Sequence, residues 1–192
     1  LVVEETSLDE LRGIEGVGAV AYFGVLDDMI LNAKQTFYFH GRSRRPPLDA
    51  VNAMLSFAYY LLAHDCAAAL ESVGLDAYVG FLHRDRPGRS SLALDLMEEL
   101  RPCMADRFVL TMINNRVISP EDFETRENGA VIFEEQGRKA FLKSWQEKKQ
   151  ETLTHPYLAE KINWGLVPYV QAILLARHLR GDLDAYPPFL WK

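Results

Sequence analysis

One segment limits the possible folds more than any other: residues 48–73 are apolar almost all the way round a helix, with Met54, Leu55, Phe57, Tyr59, Leu61 and Leu62 leaving little polar face. Gly74 follows, a residue suited to the left-handed turn that ends a helix. A helix apolar on all sides belongs at the centre of a bundle, with other elements packed around it. The chain has 192 residues, 48% hydrophobic and 25% charged, enough to build such a core without disulfide staples. Its two cysteines, Cys66 and Cys103, form no CxxC pair and read as small buried apolar residues. No apolar run is expected to reach the roughly 20 residues of a membrane span; the best candidate, 164–176, is interrupted by Gly165, Pro168 and Gln171. No basic and apolar leader is visible, so a cytoplasmic location is expected.

Helical signals recur along the chain. Ser7 and Glu10 form a capping box before Leu8, Leu11, Ile14, Val17 and Ala21 at helical spacing. Gly13, Gly16 and Gly18 lie inside that helix, which predicts close packing or close approach of a ligand. A helix is expected from Ser90 or Ser91 to Leu100, ended by Pro102, and another over 104–114. Ser119-Pro120 predicts a further helix start. Glu127-Asn128-Gly129 predicts a small hairpin within 124–133. Helices over 134–151 and 163–180 complete an all-α bundle with at most one small β-hairpin.

The segment from His83 to Pro102 carries the candidate chemistry. Asp95 and Glu98 are three residues apart and share a face of an otherwise apolar helix. Like charges so placed repel unless a cation or a proton lies between them. With His83 they suit Mg2+ or Mn2+; the same residues also read as a solvated helix face beside a satisfied histidine. Glu15, between Gly13 and Gly16, is a further acidic candidate with room around it. Two arginine groups, Arg42, Arg44 and Arg45, then Arg84, Arg86 and Arg89, lie on loops and suit phosphates. The net charge of −6 on its own speaks against a polyanionic partner. Nucleotide-cradling glycine loops, GxSxG and HExxH are absent.

Four stretches in order resemble the CRISPR-associated Cas1 family of spacer-acquisition integrases. They are Gly13-Ile14-Glu15-Gly16 with Tyr22-Phe23; Arg45-Pro46-Pro47-Leu48-Asp49-Ala50-Val51-Asn52-Ala53-Met54-Leu55-Ser56; Gly74-Leu75-Asp76 leading to Val79-Gly80-Phe81-Leu82-His83; and Leu92-Ala93-Leu94-Asp95-Leu96-Met97-Glu98-Glu99-Leu100-Arg101-Pro102. The resemblance implies a metal site of Glu15, His83 and Glu98, with Asp95 as an additional acidic catalytic position. It implies DNA contacts from Arg42, Arg44, Arg45, Arg84, Arg86 and Arg89. Glu99 stands where family members commonly carry proline. The implied activity is metal-dependent insertion of foreign DNA into a CRISPR array, with nuclease cleavage when water replaces the 3′-hydroxyl. The implied partners are DNA, a second copy of the full-length protein and the small protein Cas2. Residues 1–192 would form the family's helical catalytic domain without its N-terminal β-rich domain. A non-catalytic helical interaction or DNA-binding module is the competing expectation, and a hydrolase of small phosphate esters a third.

Overall fold

In the computed structural model the chain is described over residues 7–84 and 86–191. The opening residues 1–6, Asp85 of the second arginine loop and Lys192 lie outside the described residues.

The apolar segment becomes helix α2, Ala50–Ser72, and the fold is arranged around it. Asp49 caps it, its Oδ1 accepting from the Asn52 N–H at 2.7 Å. At the other end Gly74 takes φ +82°, and the Leu75 N–H closes back onto the Leu70 carbonyl at 3.0 Å. By length and composition alone α2 is long and apolar enough to cross a membrane, a run that the sequence reading did not anticipate, but a buried core helix meets the same test. Here Val51, Met54, Leu62, Cys66 and Leu70 are buried and the helix packs against α3 (Ser91–Leu100) and α6 (Val167–Leu179).

Helix α1, Leu8–Gly24, begins with the expected capping box. None of its residues is fully buried, and Ile14, Val17 and Val20 are exposed. Close packing at its glycines is not found: a Cβ on Gly13, Gly16 or Gly18 would meet no atom within 4 Å. The helix is joined to the rest by Tyr22, Phe23 and a few polar contacts.

Pro102 does not end the helix as expected. The chain passes from α3 into a π-helical segment, Arg101–Asp106, and then into α4, Arg107–Asn114. Proline has no N–H to give the Glu98 carbonyl, and its ring would strike that carbonyl in a regular α-helix. Widening to π geometry relieves the clash; the Arg107 N–H reaches back five residues to the Pro102 carbonyl.

The expected hairpin forms from β1, Phe123–Thr125, and β2, Val131–Phe133, antiparallel with Glu124 opposite Ile132. Ser119-Pro120 opens only one 3-10 turn, Pro120–Asp122. Helix α5, Glu135–Gln150, follows and buries Phe141 and Trp145 among Phe57, Phe108 and Phe133, with ring centroids 5.1 to 5.7 Å apart. A second hairpin, β3 (Thr152–Thr154) with β4 (Lys161–Asn163), was not expected. Its turn encloses His155, which is buried, accepts from the Leu158 N–H at 3.2 Å and donates to Gln171 at 3.1 Å. The fold is therefore mostly helical, as expected, and the described residues form two small antiparallel sheets where at most one hairpin was expected.

Candidate active site

Asp95 organises the site. Its side chain is fully covered, on the face of α3 turned toward residues 77–83. Oδ2 accepts from the N–H groups of Phe81 and Leu82 at 2.7 and 3.1 Å. Oδ1 accepts from the His83 N–H at 2.8 Å and from the ring Nδ1 at 2.7 Å. A carboxylate can only accept here, so Nδ1 donates to Asp95 and Nε2 is turned away from it. Gly80 makes this approach possible: a Cβ there would stand 2.7 Å from Ser91 Cβ and 2.9 Å from Asp95 Oδ2.

Glu98, one turn further along, faces His83, with Oε1 3.9 Å from Nε2. Its other oxygen accepts from Arg101. Burial raises the Glu98 carboxyl above its ordinary range; Arg101 opposes this, Glu15 adds to it, and His83 and Arg44 oppose it. The influence of Glu15 places both acids in one electrostatic neighbourhood, although they come from different helices.

Glu15, His83, Arg86 and Arg89 line one cleft of about 430 Å³ with Asp9, Arg12, Leu82 and Arg84. Arg12 donates to the Leu82 carbonyl at 2.7 Å and to Asp9 at 2.6 Å; Arg84 joins Asp9 at 2.9 Å. Arg84 and then Arg12 hold the Asp9 carboxyl below its ordinary range. Four arginines thus face two carboxylates, Asp9 and Glu15, around this cleft.

The six arginines taken as phosphate contacts separate into two kinds. Arg44, Arg45, Arg84 and Arg86 are exposed, and Arg89 is half-buried on the cleft. Arg42 turns inward: it donates to Asn52 at 2.6 Å, to Ser56 at 3.0 Å and to the Ser43 carbonyl at 2.7 Å, and lies 5.2 Å over the Tyr59 ring. Its guanidinium fastens the loop to α2. Asn52, fully buried, completes that clamp by donating to Gly41 and Asp49.

Glu98 and Glu99 also part company. Glu99 accepts from Gln171 at 3.0 Å, from the Phe189 N–H at 2.7 Å and from the Tyr186 hydroxyl, and so holds the C-terminal tail. The proline position of the resemblance is thus taken by a tail anchor that faces away from His83.

Two residues that the sequence reading passed over belong here. Arg101 pairs with Glu98 and also lies 5.3 Å over Tyr59; Arg12 ties α1 to the loop before His83. Each stands three residues from an acid already singled out, Glu98 and Glu15, and that spacing was the available signal. The donor types fit a divalent ion: an outward imidazole nitrogen, and two carboxylates of which one is raised partly by the other. Among the described residues, no three acids, histidines or cysteines already converge as a metal cluster.

The chain matches the family described as CRISPR associated protein Cas1 over residues 2–147. It is 59% identical over 184 residues to CRISPR-associated endonuclease Cas1 2 of Rhodospirillum rubrum, covering 96% of this chain and 54% of that protein. It is 52% identical over 189 residues to CRISPR-associated endonuclease Cas1 1 of Chlorobaculum tepidum, covering 98% and 55%. The chain thus spans about half the length of these curated relatives. Among solved structures, a casposase bound to integration product aligns with TM-score 0.85 at 28% identity, over 95% of this chain and 50% of that one. A partial Cas6-RT-Cas1–Cas2 complex aligns with TM-score 0.79 at 25% identity, over 97% and 54%.

Proposed function

Because the chain belongs to the Cas1 family, we propose that it supplies the active site of a DNA endonuclease and integrase that inserts foreign DNA into a CRISPR array. One observation carries the reading: Asp95 fixes the His83 ring so that Nε2 looks toward Glu98, at the edge of a cleft shared with Glu15 and ringed by arginines.

Each residue then has a task. Asp95 sets the tautomer and direction of His83 from a covered position, which makes it a positioning residue and not a group that meets the reacting phosphate. Arg101 holds one oxygen of Glu98 and leaves the other toward His83. Glu15, His83 and Glu98 would hold Mg2+ or Mn2+. A bound ion supplies Lewis acidity at the reacting phosphate and stabilises the charge that develops on its oxygens. Arg84, Arg86 and Arg89 in the cleft, and the exposed Arg44 and Arg45, hold flanking phosphates without reading sequence. A 3′-hydroxyl gives up its proton to solvent as its oxygen bonds to phosphorus, the opposite P–O bond breaks, and the leaving 3′-oxygen takes up a proton from solvent; with water as nucleophile the same exchange is cleavage. The proposal extends to assembly with Cas2, which the likeness to a partial Cas6-RT-Cas1–Cas2 complex supports, and to assembly with a second copy, for which the resemblance to the family is the ground.

The decisive experiment is strand transfer of a labelled DNA end into a plasmid carrying the repeat, with Mg2+ or Mn2+. Glu98→Ala and His83→Ala should each lower the rate by about 100-fold or more. Near-normal rates in both would remove this site from the reaction.

A further inference from the structure

Helix α1 carries Glu15 to the cleft, yet the core does not hold it. No residue from Leu8 to Gly24 is fully buried. Leu11, Ala19 and Tyr22 are half-buried, and at helical spacing they lie along one stripe with Glu15 among them.

The attachments of α1 are of different kinds. Arg12 donates to the Leu82 carbonyl at 2.7 Å, one turn before Glu15. Phe23 rests on Phe39 with ring centroids 5.7 Å apart, an apolar contact that sets no angle. Tyr22 donates to Asp106 Oδ2 at 2.9 Å, and a hydrogen bond has a direction. Burial, and after it the charge of Asp106, raises the Tyr22 hydroxyl above its ordinary range, so it stays a donor.

Asp106 is a fixed reference. It is buried, and its other oxygen accepts from Tyr59 of α2 at 2.5 Å. It ends the π-helical segment that continues α3, eight residues beyond Glu98 on one helical run. Arg101, on the same run, pairs with Glu98 and lies over the Tyr59 ring. Tyr22 thus registers the helix that carries Glu15 against the helix that carries Glu98. Glu15 stands seven residues before Tyr22, about 10 Å along the axis, so a tilt at Tyr22 moves Glu15 across the cleft.

We infer that Tyr22 is a positioning residue: its hydrogen bond to Asp106 sets the angle of α1 and so holds Glu15 opposite His83 and Glu98. The inference rests on the metal-site reading above and adds what keeps Glu15 in place.

The test is Mn2+ binding by the chain without DNA, read from the electron paramagnetic resonance of the free ion. Tyr22→Phe removes only the hydroxyl and keeps the ring against Phe23, 5.4 Å away. It should weaken Mn2+ binding about tenfold, and Glu15→Gln at least as much. The double variant should bind like Glu15→Gln alone, because the bond acts through Glu15. Added Mn2+ should restore strand transfer to Tyr22→Phe. Gly137→Ala, a packing change on α5, should bind Mn2+ like the unaltered chain. A loss in Glu15→Gln with none in Tyr22→Phe would overturn the inference and leave the metal site standing. Additive losses in the double variant, or an equal loss in Gly137→Ala, would also overturn it and make Tyr22 a residue of the fold. No loss in Glu15→Gln would remove Glu15 from the site, and the metal-site reading would fall with the inference.

Discussion

Asp95 is where one atom changes most. In Asp95→Asn an amide NH2 must replace one of two oxygens that each accept two hydrogen bonds, so donor would face donor. The expected cost is about 3 kcal/mol, seen as a lower urea midpoint with unchanged slope. Strand transfer should fall about 10- to 100-fold because His83 loses its direction. Asp106 gives a second prediction. It is 1% exposed and accepts from Tyr22 of α1 at 2.9 Å and Tyr59 of α2 at 2.5 Å. Burial raises its carboxyl above the ordinary 3.8, although both tyrosines and two arginines oppose the shift. The folded chain therefore keeps that proton more readily than the unfolded chain. Its stabilising effect is complete below the ordinary value and is lost as pH rises through the raised one. The difference in unfolding free energy between Asp106→Asn and the unaltered protein, followed from pH 3 to 7, should show this loss as a slope that the variant lacks. A pH-independent difference would show that folding leaves the proton affinity of Asp106 unchanged, and a slope of opposite sign that folding lowers it.

Among the elements, glycines separate packing from exposure. A Cβ on Gly137 would lie 2.5 Å from Asp122 Cβ and 2.7 Å from its carbonyl oxygen, so Gly137→Ala should push α5 off the preceding turn and cost about 1 to 3 kcal/mol. Gly13→Ala, in open space on α1, should instead stabilise by about 0.5 to 1 kcal/mol. Thermal unfolding of the two variants should move in opposite directions. The capping box of α1, the end of α2 at Gly74 and the first hairpin were legible because each is a local pattern completed within a few residues. The π-helical segment was not. Pro102 reads as a stop, and continuation depends on packing that holds Met104, Ala105 and Asp106 in the core. Both hairpins have strands of three residues, too short for alternation to register; the first showed through its Asn128-Gly129 turn, and residues 155–160 of the second carry no such signal.

Across the whole molecule, the net charge of −6 misdescribes the face that matters, since Arg12, Arg84, Arg86 and Arg89 gather on one cleft. DNA affinity should fall steeply with salt, and Arg86→Ala with Arg89→Ala should reduce the slope of log K against log salt by about 2. Fluorescence anisotropy over a salt series measures this; an unchanged slope would place the phosphates elsewhere. Arg42→Ala should act differently, lowering stability through the lost clamp on Asn52 and Ser56 while leaving the slope nearly as it was. The sequence by itself determined the helical framework, the central place of α2 and the kinds of side chain available at positions 15, 83, 95 and 98. Those depend on periodicity and on side-chain chemistry, both local properties. Only the tertiary structure decided what each of them meets. Glu98 and Glu99 are neighbours, but a helix turns about 100° per residue. One therefore meets His83 while the other meets Gln171 and the tail. Arg42 and Arg44 part in the same way, one into the clamp on α2 and one into solvent beside Glu98. Which face meets a cleft, a core or a tail is set by elements distant in the chain, and no local pattern carries that information.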